Sequence, residues 1–355
     1  MASGPPADEL ERRLGGLSLA ELGANENALG PSPRALTAIA QAALRGHRYP
    51  DAGGAHLKRR LAERLALSPA HVALGAGSNE LIDLLAQVFV RPGDEVVTTD
   101  PTFIMYAMAI RKAGGARVAV PGADDGASHD LERMLAAIGP RTRMIIVCNP
   151  NNPTGAMIER PAFERFLERV PEHVVLVCDE AYCEYVEAPA YPRGTDYLAL
   201  DRPLYLLRTF SKIHSLAGLR VGYALARPEW AGLLDRVRLP YNVSGVAQAA
   251  ALAALDDADH VAASLELART GRAALLRDLP ALGIRAFPSH TNFVLVDFGR
   301  DCRPDCAALE ARGVRIRNLA GWGMDPRFAR IGIGTAAEHA RLIETLAGAR
   351  AQGAA

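Results

Sequence analysis

Short apolar runs bounded by charged or turn-forming positions recur through the middle of the chain. Glu95–Thr99, Arg117–Val120, Arg143–Cys148, Val174–Cys178, Leu204–Leu207 and Val221–Leu225 read as strands, and helical patterns fill several of the intervals. The runs are nearly continuous in apolar character, which predicts a mostly parallel sheet covered by helices on both faces, an α/β fold. Around Pro240 the pattern changes to a long alanine-rich helical stretch, Val246–Ala274. A smaller α/β segment follows, with strands expected near Phe293–Val296 and Val314–Ile316. The pattern therefore divides the chain into an N-terminal arm (1–27) packing with a small domain, a large domain (28–240) and the small C-terminal domain (241–355).

Composition narrows the class. A chain of 355 residues is long enough for more than one core. Its 40 acidic and 40 basic side chains balance, so no charge excess points to nucleic acid or an anionic membrane as the main partner. Met1–Gly16 is polar and lacks the apolar centre of a secretion signal, and no apolar run approaches the roughly 20 residues of a membrane span. The expected location is the cytoplasm. Cys148 and Cys178 fall on apolar strands, where thiols act as small hydrophobes. Cys302 and Cys306 lack a second ligand pair nearby, so no metal is expected.

The chemistry gathers where strands end. Lys212, the only lysine in the central stretch of an arginine-rich chain, follows the run Leu204–Leu207 within Arg208-Thr209-Phe210-Ser211-Lys212, and Arg220 comes eight residues later. A free lysine amine has a pKa of about 10.4 and needs desolvation or a neighbouring cation to become a nucleophile near neutrality. Arg220 can supply that charge and also bind a phosphate, so Lys212 is placed to hold an aldehyde cofactor, pyridoxal phosphate, as a Schiff base. Taken alone, Lys212 reads more readily as a surface lysine at a strand end.

Two further segments bear on it. Asn149-Pro150-Asn151-Asn152-Pro153-Thr154-Gly155 must turn sharply at the end of an apolar run, at the sheet edge where open α/β sheets bind ligands. Asp179-Glu180-Ala181-Tyr182 ends another buried strand, where a carboxylate is costly unless paired. A pyridinium nitrogen is one partner for Asp179, and a helix N-cap role is the plainer reading. Gly75-Ala76-Gly77-Ser78-Asn79-Glu80 leads into an apolar stripe at helical spacing, Leu81, Leu84, Leu85 and Val88. A glycine turn opening a helix suits a phosphate. The dinucleotide pattern Gly-x-Gly-x-x-Gly fails, because its sixth position is Glu80.

Together these segments resemble the fold-type I pyridoxal-phosphate aminotransferases, and within them the histidinol-phosphate subfamily. The resemblance runs from Asn25-Glu26-Asn27 and Arg48-Tyr49-Pro50 to Arg330-Ile331-Gly332-Ile333-Gly334. It implies that Lys212 holds the cofactor and shuttles the proton, that Asp179 pairs with the ring nitrogen, and that Asn152 and Tyr182 bind the ring's phenolic oxygen. It implies Phe103 as the stacking aromatic, with Gly77, Ser78, Asn79, Thr209, Ser211 and Arg220 around the phosphate. It further implies a homodimer in which Tyr49 reaches the neighbouring subunit's cofactor phosphate, and Arg330, Arg317 and Asn25 as substrate-binding residues.

The implied activity is two-stage transamination between L-histidinol phosphate and 2-oxoglutarate, giving imidazole-acetol phosphate and glutamate, in histidine biosynthesis. Three readings share the cofactor: an aromatic amino-acid aminotransferase, a phosphothreonine decarboxylase, and a non-catalytic sensor fused to a regulator. The decarboxylases usually carry proline before the Gly-Leu-Arg that follows the lysine, whereas Ala217 stands here. The residues before Asn25 are too few for a DNA-binding domain.

Overall fold

The computed structural model describes residues 5–123 and 127–353, so Met1–Gly4 of the expected arm lie outside the described residues. By internal contacts the chain forms two compact units. The smaller comprises Met1–Leu29, Pro153–Gly155 and Ala262–Ala355, and the larger Gly30–Asn152 and Ala156–Val261. In the smaller unit the N-terminal segment contributes a helix, α1 (Ala7–Arg13), and a short strand, β1 (Ala20–Glu21).

The larger unit begins with α2 (Pro33–Ala43), capped by the Ser32 hydroxyl, and α3 (Ala55–Leu65). Strands and helices then alternate: β2 (Val72–Gly75), α4 (Ser78–Phe89), β3 (Glu95–Asp100), α5 (Met105–Lys112), β4 (Ala116–Pro121), α6 (Leu131–Ala136), β5 (Thr142–Cys148), α7 (Arg160–Arg169) and β6 (Val175–Asp179). Two more strands, β7 (Leu204–Thr209) and β8 (Gly222–Leu225), precede α8 (Pro228–Val237) and α9 (Gly245–Leu255). They form one seven-stranded sheet in the order β2-β8-β7-β6-β5-β3-β4, parallel except for β8, which runs against both its neighbours.

The pleat explains the unbroken apolar runs. Along β5, Ile145 and Val147 enter a core shared with Leu57 of α3 and Ala247 of α9. Met144, Ile146 and Cys148 enter the opposite core, shared with Leu81 of α4 and Tyr106 of α5. Because helices cover both faces, every position from Met144 to Cys148 is apolar.

Two expectations need correction. The large unit does not end near residue 240 but includes α9, whose buried face is alanine (Ala247, Ala250, Ala251, Ala254) and packs into one core with Ala35 of α2. Small side chains let the two helices approach closely. Nor is Val246–Ala274 one helix: α9 stops at Leu255 and α10 (Ala258–Asp278) starts anew. At the break, Asp256 accepts two hydrogen bonds from Arg60, at 2.5 and 2.9 Å, and Asp257 accepts from the His260 amide at 3.3 Å.

In the smaller unit, β9 (Arg285–Ala286), β10 (Phe293–Asp297), α11 (Arg303–Glu310), β11 (Val314–Arg315), β12 (Arg317–Asn318), β13 (Phe328–Gly332) and α12 (Ala336–Gly353) follow α10. The single strand expected at Val314–Ile316 is two: β11 pairs with β1, whereas β12 joins the sheet β12-β13-β10-β9. Ile316, between them, is buried in the core that includes Leu22. The N-terminal arm is thereby part of this unit, with Leu22 hydrogen-bonded to Arg315 and Gly332 at 2.8 and 2.6 Å. Among the described residues no helix is long and apolar enough to cross a membrane.

Candidate active site

Strand direction concentrates chain ends at one sheet edge. Thr209, Gly222 and Gly75 lie in register across β7, β8 and β2. Cys148, Asp179 and Leu207 do the same across β5, β6 and β7. Because β8 is antiparallel, the residues before it, Arg220 among them, return to the edge that β2 and β7 reach with their C-terminal ends.

At that edge Gly77 caps α4 with φ +81° and no side-chain hydrogen bond, leaving the first amides of the helix, Ser78 and Asn79, facing outward from its positive end. A Cβ on Gly77 would run into the Arg220 guanidinium, and one on Gly222 would lie 2.9 Å from the Ser78 nitrogen. Only glycines permit this approach. Arg220 donates to the Ser211 hydroxyl (3.3 Å) and the Ala217 carbonyl (2.9 Å), and Thr209 donates to Ser211 Oγ (2.9 Å). Glu80, the residue that broke the dinucleotide pattern, has a structural task of its own. Its Oε2 accepts from the Ala76 amide (2.5 Å) and from Asn242 (2.6 Å), tying down the turn. The result is a cup of amides, hydroxyls and one guanidinium, the donor set of a phosphate site.

Beside the cup, Asp179 is 2% exposed. Its Oδ2 accepts from the Tyr106 hydroxyl at 2.7 Å and its Oδ1 from the Ala181 amide at 3.1 Å. Burial pushes its pKa up to about 6, against the two donors and Lys212, which pull it down. The adjacent Glu180 is spent elsewhere: it binds Arg208 at 2.8 Å and the Gly194 amide at 3.0 Å. Lys212 Nζ lies 5.6 Å from the centre of the Tyr182 ring, and Asn152 donates to the Tyr182 hydroxyl at 3.4 Å. Phe103 meets Tyr106 edge-on at 5.6 Å. Thr102 donates to Asn151 Oδ1 (2.9 Å) and Asn151 donates back to the Pro101 carbonyl (3.1 Å), which clamps the Phe103 segment to the Asn-Pro turn.

Gly77, Ser78, Asn79, Phe103, Asn152, Asp179, Tyr182, Thr209, Ser211, Lys212 and Arg220 thus all belong to the ends of this one sheet or the loops leaving it. Tyr106 escaped sequence reading because it occupies an apolar helix position, and only its buried hydroxyl, which requires a partner, signalled more. Tyr49, in the same unit, is 83% exposed and stacks on Tyr241 with ring centres 4.7 Å apart.

Asn25, Arg317 and Arg330 belong to the smaller unit. Arg330 is buried on β13, donates to the Gly23 carbonyl at 2.7 Å, and lies 5.2 Å from the ring centres of both Phe293 and Trp322. The register sets Arg317 of β12 directly opposite Arg330 on β13, so the two side chains share a face of the sheet. Asn25 is buried with φ +56°, and its carbonyl accepts from Asn292 at 3.1 Å.

The chain matches the family model of class I and II aminotransferases over residues 18–346. It is 47% identical over 345 residues to histidinol-phosphate aminotransferase 2 of Pseudomonas aeruginosa, covering 97% of this chain and 93% of that one. It is 43% identical over 344 residues to histidinol-phosphate aminotransferase of Moorella thermoacetica, covering 97% and 88%. Among solved structures, that of histidinol-phosphate aminotransferase from Sinorhizobium meliloti in complex with pyridoxal-5'-phosphate superimposes with a TM-score of 0.88 at 34% identity, covering 98% of this chain and 96% of that one.

Proposed function

Because the chain belongs to the class I and II aminotransferases, we propose that it transfers the amino group between L-histidinol phosphate and 2-oxoglutarate, giving imidazole-acetol phosphate and glutamate, with pyridoxal 5'-phosphate as cofactor. The observation that carries this reading is the meeting, on one sheet edge, of a phosphate cup, a buried carboxylate and a lysine. A phosphorylated pyridine aldehyde has one group for each.

The residues would divide the work as follows. The amides of Ser78 and Asn79 behind Gly77, with Thr209, Ser211 and Arg220, hold the phosphate. Asp179 holds a proton on the ring nitrogen, Asn152 and Tyr182 bind the phenolic oxygen, and Phe103 covers the ring. When bound, the cofactor supplies an electron sink for the bond broken at the donor's α-carbon. Lys212 fixes the aldehyde through Nζ and, once displaced by the amino donor, carries the proton to and from that carbon. Arg330 grips the anionic end of the substrate, Arg317 adds a second contact to the phosphate of histidinol phosphate, and Asn25 closes over it.

The cross-strand Arg317–Arg330 pair supports a doubly charged anion over a bare aromatic side chain. We expect kcat/KM for histidinol phosphate to exceed that for phenylalanine at least about tenfold. Arg317→Ala should raise KM for histidinol phosphate about tenfold or more while leaving phenylalanine nearly unchanged. Faster turnover of phenylalanine by the wild type would make the protein an aromatic aminotransferase instead.

A homodimer completes the proposal, with Tyr49 reaching the partner's phosphate cup. Leu44 (81% exposed) and Tyr49 on one segment, and Leu239 (73%) and Tyr241 on another, are joined by the Tyr49–Tyr241 stack and leave apolar surface open. Sedimentation equilibrium of the holoenzyme should give twice the chain mass, and a monomer with full activity would remove Tyr49 from the site.

A further inference from the structure

Tyr106 is among the largest fully buried side chains of the protein, and it spends its hydroxyl on Asp179 Oδ2 at 2.7 Å. Strand and helix bring the two together. Along β6, Val175 and Val177 face the core that contains Tyr106, Ala109 and Ile110, and two residues beyond Val177 the same pleat delivers Asp179 to that face. The ionisable groups around Asp179 are Tyr106 on α5, Cys148 on β5, Glu180 beside it and Lys212 beyond β7. Burial holds the Tyr106 hydroxyl well above its ordinary pKa, so it stays protonated and acts as a donor. The carboxylate is gripped from two sides, by Tyr106 on Oδ2 and by the Ala181 amide on Oδ1. Phe103, two positions before α5 begins, touches the same tyrosine ring, so one short segment positions both the expected ring cover and the carboxylate's donor.

We propose that Tyr106 is a positioning residue for transamination: its hydrogen bond fixes the plane of the Asp179 carboxylate and keeps it anionic, so that it can hold the proton on the cofactor's ring nitrogen. The inference rests on the cofactor reading of this site. Tyr106 touches neither the substrate nor the reacting atoms and acts through Asp179.

The test is Tyr106→Phe in the holoenzyme, loaded with pyridoxal phosphate labelled with ¹⁵N in the ring. In the wild type the ring nitrogen should give the chemical shift of a protonated pyridine. In the variant it should move toward the unprotonated value, with kcat down about tenfold and KM for the amino donor within about twofold. Replacing Tyr106 by 3-fluorotyrosine, which keeps a hydroxyl that donates more strongly, should restore both the shift and kcat. In an Asp179→Asn background the same Tyr106→Phe change should alter the residual kcat by less than about twofold, against about tenfold with Asp179 in place, because its route is gone.

An unchanged nitrogen shift and kcat in Tyr106→Phe, with only a lower melting temperature, would overturn the inference and leave the cofactor reading standing. So would equal effects of the change in both backgrounds. Wild-type protein that takes up no pyridoxal phosphate would overturn both.

Discussion

Lys212→Ala is expected to lower transamination of histidinol phosphate by at least about three orders of magnitude, because one side chain performs two tasks. In the proposed mechanism its amine would fix the cofactor aldehyde, and the same amine would move the proton at the α-carbon. No other lysine can stand in. The chain has only Lys58 and Lys112 besides, and these are held by Asp235 at 2.7 Å and Asp83 at 2.8 Å. The fold should survive, since Lys212 lies in a loop after β7 and its neighbours Phe210, Ile213 and Leu216 supply the packing there. Turnover with 2-oxoglutarate as acceptor measures the loss. Added small primary amines should recover part of the proton transfer but not the anchoring. Activity within tenfold of wild type would remove Lys212 from the mechanism.

Asp179→Asn should show opposite effects on activity and on stability. Activity should fall about a thousandfold, because an amide cannot hold the ring nitrogen's proton as a carboxylate does. The cofactor-free protein, in contrast, should become more stable at neutral pH. Asp179 has a folded-state pKa of about 6 against an ordinary value of 3.8, raised first by burial. The fold therefore binds this proton more tightly than the unfolded chain does. The resulting stabilisation is complete below about pH 4 and is lost as pH rises through about 6. A rise from 3.8 to about 6 corresponds to ~3 kcal/mol. Asparagine does not titrate, so the variant's advantage over wild type in urea unfolding should grow by about that amount between pH 4 and pH 7. A difference that stays flat with pH would rule out this linkage. Pyridoxal phosphate should narrow the gap, since a pyridinium partner offsets the buried charge.

The central sheet was legible because helices cover both faces, so its strands read as solid apolar runs with few polar interruptions. Two features were hidden for physical reasons. β2 is four residues long and ends in glycine, too little pattern to stand out from a turn. The reversed direction of β8 leaves no mark on its composition, because a buried antiparallel strand is as apolar as a parallel one. The alanine stretch misled for a related reason. Alanine favours helix wherever it sits, so Val246–Ala274 read as one element, and the two aspartates that break it look unremarkable until Arg60 and the His260 amide meet them. The polar residues of the site stood out because glycine, asparagine, proline and lysine are conspicuous after apolar runs. Tyr106 did not, being an aromatic among apolar helix residues. Glu180 and Asp179 were separable only in space, where one faces Arg208 and the other Tyr106.

The reversed strand has a further consequence, for the order in which the molecule is assembled. β2 lies at the edge of its sheet and has a single neighbour, β8, with Gly75 set against Gly222. Synthesis from the N-terminus makes the Gly75–Asn79 turn early and its support late, after five other strands have been made. Closing so long a loop is entropically costly and slow. The Gly75–Asn79 turn thus gains its one sheet neighbour only after Asp179, Lys212 and Arg220 have been made, and a nascent chain that stops before β8 leaves the amide side of the phosphate cup without the strand that backs it, however well its earlier strands have paired.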